Sequence, residues 1–170
     1  MSKIHANNEF NEIINSYLNE DVLSLKEIPH HNSNRFEHSL KVSYYSYKIT
    51  KKMNLDYEST AIGGLLHDMY FDEVSKKDTV KEKIKLFTGG HPKDALVNAS
   101  NSFDLNDIEK NIIVSHMWPL SKAIPKYKES FIVSMVDKCV STKEFGNRWH
   151  VKASNTLGIY FILLVNLIFR

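Results

Sequence analysis

A single cysteine, Cys139, stands in 170 residues, which rules out an internal disulfide and a zinc site built from several thiolates. Six glycines and four prolines are too few for a many-turned sandwich or a low-complexity chain. Acidic and basic side chains nearly cancel, leaving a net charge of +2, so nothing global calls for nucleic acid or an anionic membrane as partner. No apolar run reaches the ~20 residues that span a bilayer. The longest, LGIYFILLVNLIF at 157–169, reads as a buried closing helix or a dimer contact, so a homodimer is one expectation and stable membrane insertion is not. The opening MSKIHANNEF has no apolar centre of the signal-peptide kind, and a cytoplasmic protein is expected.

What is present is ordinary globular material, 42% hydrophobic and 25% charged. The length fits one domain able to bury a core without staples. Apolar residues recur at three- and four-residue intervals, as in Phe10, Ile13, Ile14, Tyr17 and Leu18, in Phe36, Leu40, Tyr44 and Tyr47, and in Ile108, Ile112 and Ile113. No segment alternates strictly enough to be a strand. The spacing predicts helices over 8–26, 35–54, 57–69, 91–102, 105–117, 127–143 and 155–169. Asp56, Asn106 or Asp104, and Pro92 supply starts. A lysine-rich stretch closing on a glycine pair, DEVSKKDTVKEKIKLFTGG, separates the third and fourth helices. With neither repeat nor linker, the chain reads as one all-α domain over 1–170.

Six potential metal ligands lie at helix ends or within apolar stretches: His38, His67, Asp68, His91, His116 and Asp137. Taken singly, each histidine is better explained as a cap or a solvated side chain than as a ligand. Asp137, on the apolar stretch IVSMVDKCV, is costly to bury unless it is paired or binds a metal, and Arg35 or Arg148 could supply the pairing. Gly63 and Gly64 before the His67-Asp68 dipeptide could allow close helix approach or simple packing.

Taken together, the segments RFEHSLKVS, GGLLHD, GGHPKDALVNA, IIVSHMWPL and SMVDKCVSTKE carry the order H…HD…H…H…D. In this the chain resembles the HD-domain superfamily of metal-dependent phosphohydrolases, and most of all its small single-domain bacterial members. The likeness runs over about 30–145. It implies a helical bundle around a metal centre. On that resemblance His38, His67, Asp68 and Asp137 correspond to the ligands of a first ion. His91 and His116 match the extra histidines of members with two ions, which Asp68 would bridge.

Four imidazoles and two carboxylates suit two divalent transition-metal ions, Fe or Mn first and Zn or Co next, better than Mg or Ca. Two such ions activate water and neutralise phosphoryl oxygens, so no side-chain nucleophile is required. Cys139 is expected to be core rather than reactive. The implied function is hydrolysis of a phosphomonoester, phosphoanhydride or phosphodiester bond in a small phosphorylated metabolite or nucleotide. Asp68 and Arg35 are the catalytic candidates, and Arg35, one turn before His38, could also hold a phosphate through two parallel hydrogen bonds. Lys93 is a second substrate-binding candidate, whereas Lys76, Lys77, Lys81, Lys83 and Lys85 read as a solvated face. His30 and His31 read as polar surface.

Subfamily signatures narrow the choice. Asp68 is followed by MYFDE, which lacks the HDxGK and GYP segments of the cyclic-di-GMP phosphodiesterases. Asp72 and Glu73 match the acidic pair of guanosine tetraphosphate hydrolases only loosely. The pattern RxxH…HD…H…H…D is closer to the hydrolases that split diadenosine tetraphosphate symmetrically, although the segment after HD differs. The competing class is a non-catalytic metal- or nucleotide-binding HD-fold module.

Overall fold

A computed structural model describes residues 4, 6–30, 33–71 and 91–146. Among them the fold is helical, with one two-residue antiparallel pair, β1 (Pro29–His30) against β2 (Ser33–Asn34). In chain order the helices are α1 (Asn8–Asn15), α2 (Glu20–Ser24), α3 (Arg35–Lys52), α4 (Tyr57–Leu66), α5 (His91–Ser102), α6 (Asp107–Ser115) and α7 (Lys128–Gly146). The expected helix at 155–169, His31, and the lysines at 76, 77, 81, 83 and 85 lie outside the described residues. None of the described helices is long and apolar enough to cross a membrane.

Side-chain caps set most of the starts. Asp56 accepts from the Ser59 N–H at 2.9 Å to begin α4, and Asn106 with Glu109 forms a reciprocal capping box at α6. Asn34 caps α3 through the Glu37 N–H at 2.8 Å. One expectation fails here: the helix expected over 8–26 is broken in two. Asn19 turns its side chain onto the Val22 N–H at 2.9 Å and starts α2 afresh, and a 3-10 turn over Leu25–Glu27 follows. The apolar spacing continues through the break because both pieces face the same core; the asparagine decides the local geometry. α3 ends where Asn54 takes a left-handed φ of 53°, with Leu55 N–H returning to the Thr50 carbonyl at 3.0 Å.

The long α3 organises the packing. It lies along α4 and α7, α4 also meets α6, and α6 runs between α5 and α7. One face of α3 carries Leu40, Tyr44 and Tyr47 into a cluster with Phe10, Leu65, Leu66, Met69 and Ile113. Val42 points the other way, into Ile112 and the Ile132, Val133, Val136 and Val140 stripe of α7. Burying each such side chain stabilises the fold by about 1.5–3 kcal/mol. The site lies between these two cores.

Glycine sets how near the helices come. A Cβ on Gly63 would sit 2.8 Å from Ile112 Cδ1 on α6, and one on Gly64 would sit 2.9 Å from Ser43 Cα on α3. The second contact is with backbone, so no rotamer change relieves it. Ser43 also donates to the Ala61 carbonyl at 2.6 Å, joining the same two helices. Gly64→Ala should therefore reduce the stability of the fold by about 1–3 kcal/mol through overpacking, read from urea denaturation midpoints. An unchanged midpoint would contradict the close α3–α4 crossing.

Candidate metal centre

His67 and His116 occupy the C-cap positions of α4 and α6, so the two helices end alike. A helix leaves its last carbonyls without intrahelical donors. His67 Nδ1 satisfies the Gly64 carbonyl at 2.8 Å and His116 Nδ1 the Ile113 carbonyl at 2.7 Å. Each ring is thereby fixed with Nδ1 protonated and Nε2 facing inward. Asp68 follows His67 immediately, and the helix end lets the adjacent ring and carboxylate converge instead of projecting about 100° apart around the axis.

His38 arrives from the first turn of α3 and Asp137 from the middle of α7. His38 Nε2 meets Asp137 Oδ1 at 3.0 Å, and His38 Nδ1 meets Glu144 Oε2 at 3.0 Å. Glu144 is held in turn by Lys41 Nζ at 2.8 Å. Glu144 was given no role from the sequence. It stands seven residues after Asp137, two helical turns along the same face of α7, and that spacing was the signal to find it.

Asp68 joins two groups of ligand atoms. One comprises His38, His67 and Asp68, the other Asp68, His91 and His116, and all five residues are buried. Asp68 Oδ2 is 3.6 Å from His67 Nε2, while Oδ1 is 3.5 Å from His116 Nε2 and 3.7 Å from His91 Nε2. Asp137 Oδ1 lies 3.8 Å from His67 Nε2. These atoms fit a metal on two observations. The buried His67 Nε2 has no hydrogen-bond partner. The Nε2 atoms of His91 and His116 face each other at 3.1 Å, close to the ~3 Å separating two imidazole nitrogens each about 2.0–2.1 Å from one ion. The lone pair on His116 Nε2 makes that approach favourable when a cation or proton is shared.

The electrostatics among the protein groups of the site are uneven. Burial opposes a charge on His38, but hydrogen bonds to Asp137 and Glu144, with Asp68 nearby, raise its pKa to about 10. Burial likewise opposes the His67 cation, and Asp68 and Asp137 outweigh it, so its pKa also rises. His116 is depressed to about 3 by burial and by His67 beside it. Burial disfavours the carboxylates of Asp137 and Glu144, yet the former is held well below the usual range by His38 and His67 and the latter falls to about 2 beside His38 and Lys41.

These shifts fix the sign of the pH dependence. The raised His38 stabilises the fold below its ordinary value of 6.5, and that contribution is lost as pH climbs towards 10. The depressed His116 acts oppositely: as pH falls from 6.5 towards 3, the unfolded chain takes up a proton that the folded one refuses. The melting temperature of chelator-treated protein should therefore peak at about pH 6–7 and decline on both sides. A midpoint still rising at pH 9 would contradict this. Metal binding at His38 and His67 must also displace the protons that their raised pKa values favour, so uptake at pH 7–8 should release protons in calorimetry across buffers of different ionisation enthalpy.

Other expected positions fall as follows. Arg35 does not reach Asp137; it is 3% exposed and packs on Tyr70, donating from Nη1 to the Tyr70 carbonyl. Arg148, the other partner considered for Asp137, lies outside the described residues. Lys93 is exposed on the first turn of α5. Cys139, expected in the core, is exposed instead, because α7 turns Asp137, Val136 and Val140 inward and carries residue 139 to the other side. Lys138 was not anticipated. It donates to the carbonyl of His116 at 3.0 Å and to Ser134 Oγ at 3.0 Å, tying the end of α6 to α7.

Comparison with known proteins gives one result. The family model described as HD domain matches residues 35–141, which span α3 to α7 and contain all six ligand candidates. Neither the curated proteins nor the solved structures contain a significant match.

Proposed function

The chain belongs to the HD domain family of metal-dependent phosphohydrolases, and on that premise we propose that it hydrolyses a phosphoester or phosphoanhydride bond of a small phosphorylated metabolite or nucleotide. One observation carries this reading. Asp68 presents a carboxylate oxygen to each of two buried imidazole groups, the arrangement a bridging ligand requires. We assign His38, His67, Asp68 and Asp137 to one divalent ion and Asp68, His91 and His116 to a second, with Fe or Mn preferred and Zn or Co next. Ions bound there supply Lewis acidity, activating water and offsetting phosphoryl charge.

The chain's own groups prepare the rest. Gly64 and Ile113 carbonyls hold the His67 and His116 tautomers, so Nε2 is the atom offered in each case. Glu144 anchors the His38 ring, leaving its Nε2 towards Asp137. Burial of all five clustered residues keeps the local dielectric low, which strengthens the attraction of Asp68 and Asp137 for cations. Lys93, exposed two residues beyond His91, is the cation proposed to meet an anionic substrate. A non-catalytic binding module is the other reading; the intact set of six ligands favours the enzyme.

The test is a phosphate-release screen across phosphomonoesters, nucleotides and dinucleotides, run with and without chelator. Turnover that chelation abolishes and Mn²⁺ restores is expected. Stable metal content without turnover of any class would favour the binding module.

A further inference from the structure

We infer that Arg35 is a positioning residue that braces His91 and Asp68 through Tyr70; this rests on the metal-site reading above. Arg35 opens α3 and lies with its guanidinium carbon 3.7 Å over the Tyr70 ring centroid. The Tyr70 ring in turn lies 4.9 Å from that of His91, tilted by 37°. Arg35 also donates from Nη1 to the Tyr70 carbonyl, while its buried Nε has no hydrogen-bond partner. A guanidinium buried with one donor unmet is costly, so stacking and the carbonyl bond must hold it there.

Backbone connections extend this grip to the shared carboxylate. Tyr70 N–H returns to the Asp68 carbonyl at 2.8 Å, so the chain turns sharply straight after the ligand. Asn98 on α5 donates to the Met69 carbonyl at 3.0 Å, fixing the same turn to the helix that His91 begins. The turn is thus held from α3 by Arg35 and from α5 by Asn98. Loosening the arginine frees the Tyr70 ring against His91 and the backbone that aims Asp68 Oδ1 at His91 and His116. The His38 side, anchored by Glu144 and Asp137, has its own supports.

Lysine cannot replace the arginine here, because its ammonium neither stacks as a plane nor forks to a carbonyl while doing so. Arg35→Lys and Tyr70→Leu disturb the stack from opposite sides. Each protein is titrated with Co²⁺ against a chromophoric chelator, with circular dichroism checking that the helices persist. In both variants the second ion should bind about tenfold or more weakly, the range seen when a supporting partner is lost, while the first ion keeps its affinity. Should Arg35→Lys fail to fold, Tyr70→Leu carries the same expectation. Unchanged affinity for both ions overturns the inference, and a rise confined to KM would then mark Arg35 as a substrate contact. Equal weakening of both ions also overturns it. Wild-type protein that takes up no Co²⁺ defeats the metal-site reading itself, and this inference with it.

Discussion

Asp68→Ala should strip both metal ions from the protein and abolish phosphate release. The residue belongs to both buried groups, with Oδ2 towards His67 and Oδ1 towards His91 and His116. Removing it leaves two sets of imidazoles with less negative charge to offset dications in a buried site. The loss of turnover should exceed the about 10–100-fold that follows from removing a mere supporting partner. Helix content should survive, because the two apolar cores do not include Asp68. Plasma emission spectrometry on gel-filtered protein, with circular dichroism alongside, reads both results. One ion retained per chain would show that the halves do not share a carboxylate.

His116→Ala separates the halves. It removes an Nε2 that faces only the second group, so on the two-ion proposal metal content should fall to about one ion per chain and turnover should collapse, because the proposed Lewis-acid chemistry needs both ions. The Ile113 carbonyl loses its donor, at about 0.5–1.5 kcal/mol of stability. Asp137→Asn probes the other half. It keeps the side chain's shape beside His38 but removes the charge paired with it, and the first ion should weaken while the second persists. Full occupancy and unchanged turnover in His116→Ala would leave a mononuclear site of His38, His67, Asp68 and Asp137.

The sequence made much of this legible, for identifiable reasons. The all-α architecture follows from three- and four-residue apolar spacing, which α1, α3 and α6 show as buried residues at that interval, whereas α4 is buried on every side from 59 to 66. Asp56 and Asn106 marked starts correctly because capping is a local interaction within four residues. Asn19 caps α2 by the same kind of local bond, but it lies inside apolar spacing that runs unbroken past it, so the spacing alone shows no break there. His67 and Asp68 could be placed at a helix end, but not the Nδ1 bonds that orient the rings, because those depend on where the helix stops to the residue. Glu144, Lys138 and Tyr70 were invisible as partners. They meet His38, His116 and Arg35 across 106, 22 and 35 positions of chain, and only packing brings such pairs together. Cys139 is exposed where the core was expected because the apolar richness of its helix says nothing about which side each residue takes.

Phosphate release measured against added metal tests the central claim most directly. Chelator-treated protein is titrated with Mn²⁺ in the presence of a substrate found in the screen, and turnover is plotted against ions bound per chain. Two groups joined by Asp68 predict little turnover up to the first equivalent, a rise across the second, and a plateau at two. A plateau at one ion, or no phosphate release at any loading, would contradict the account.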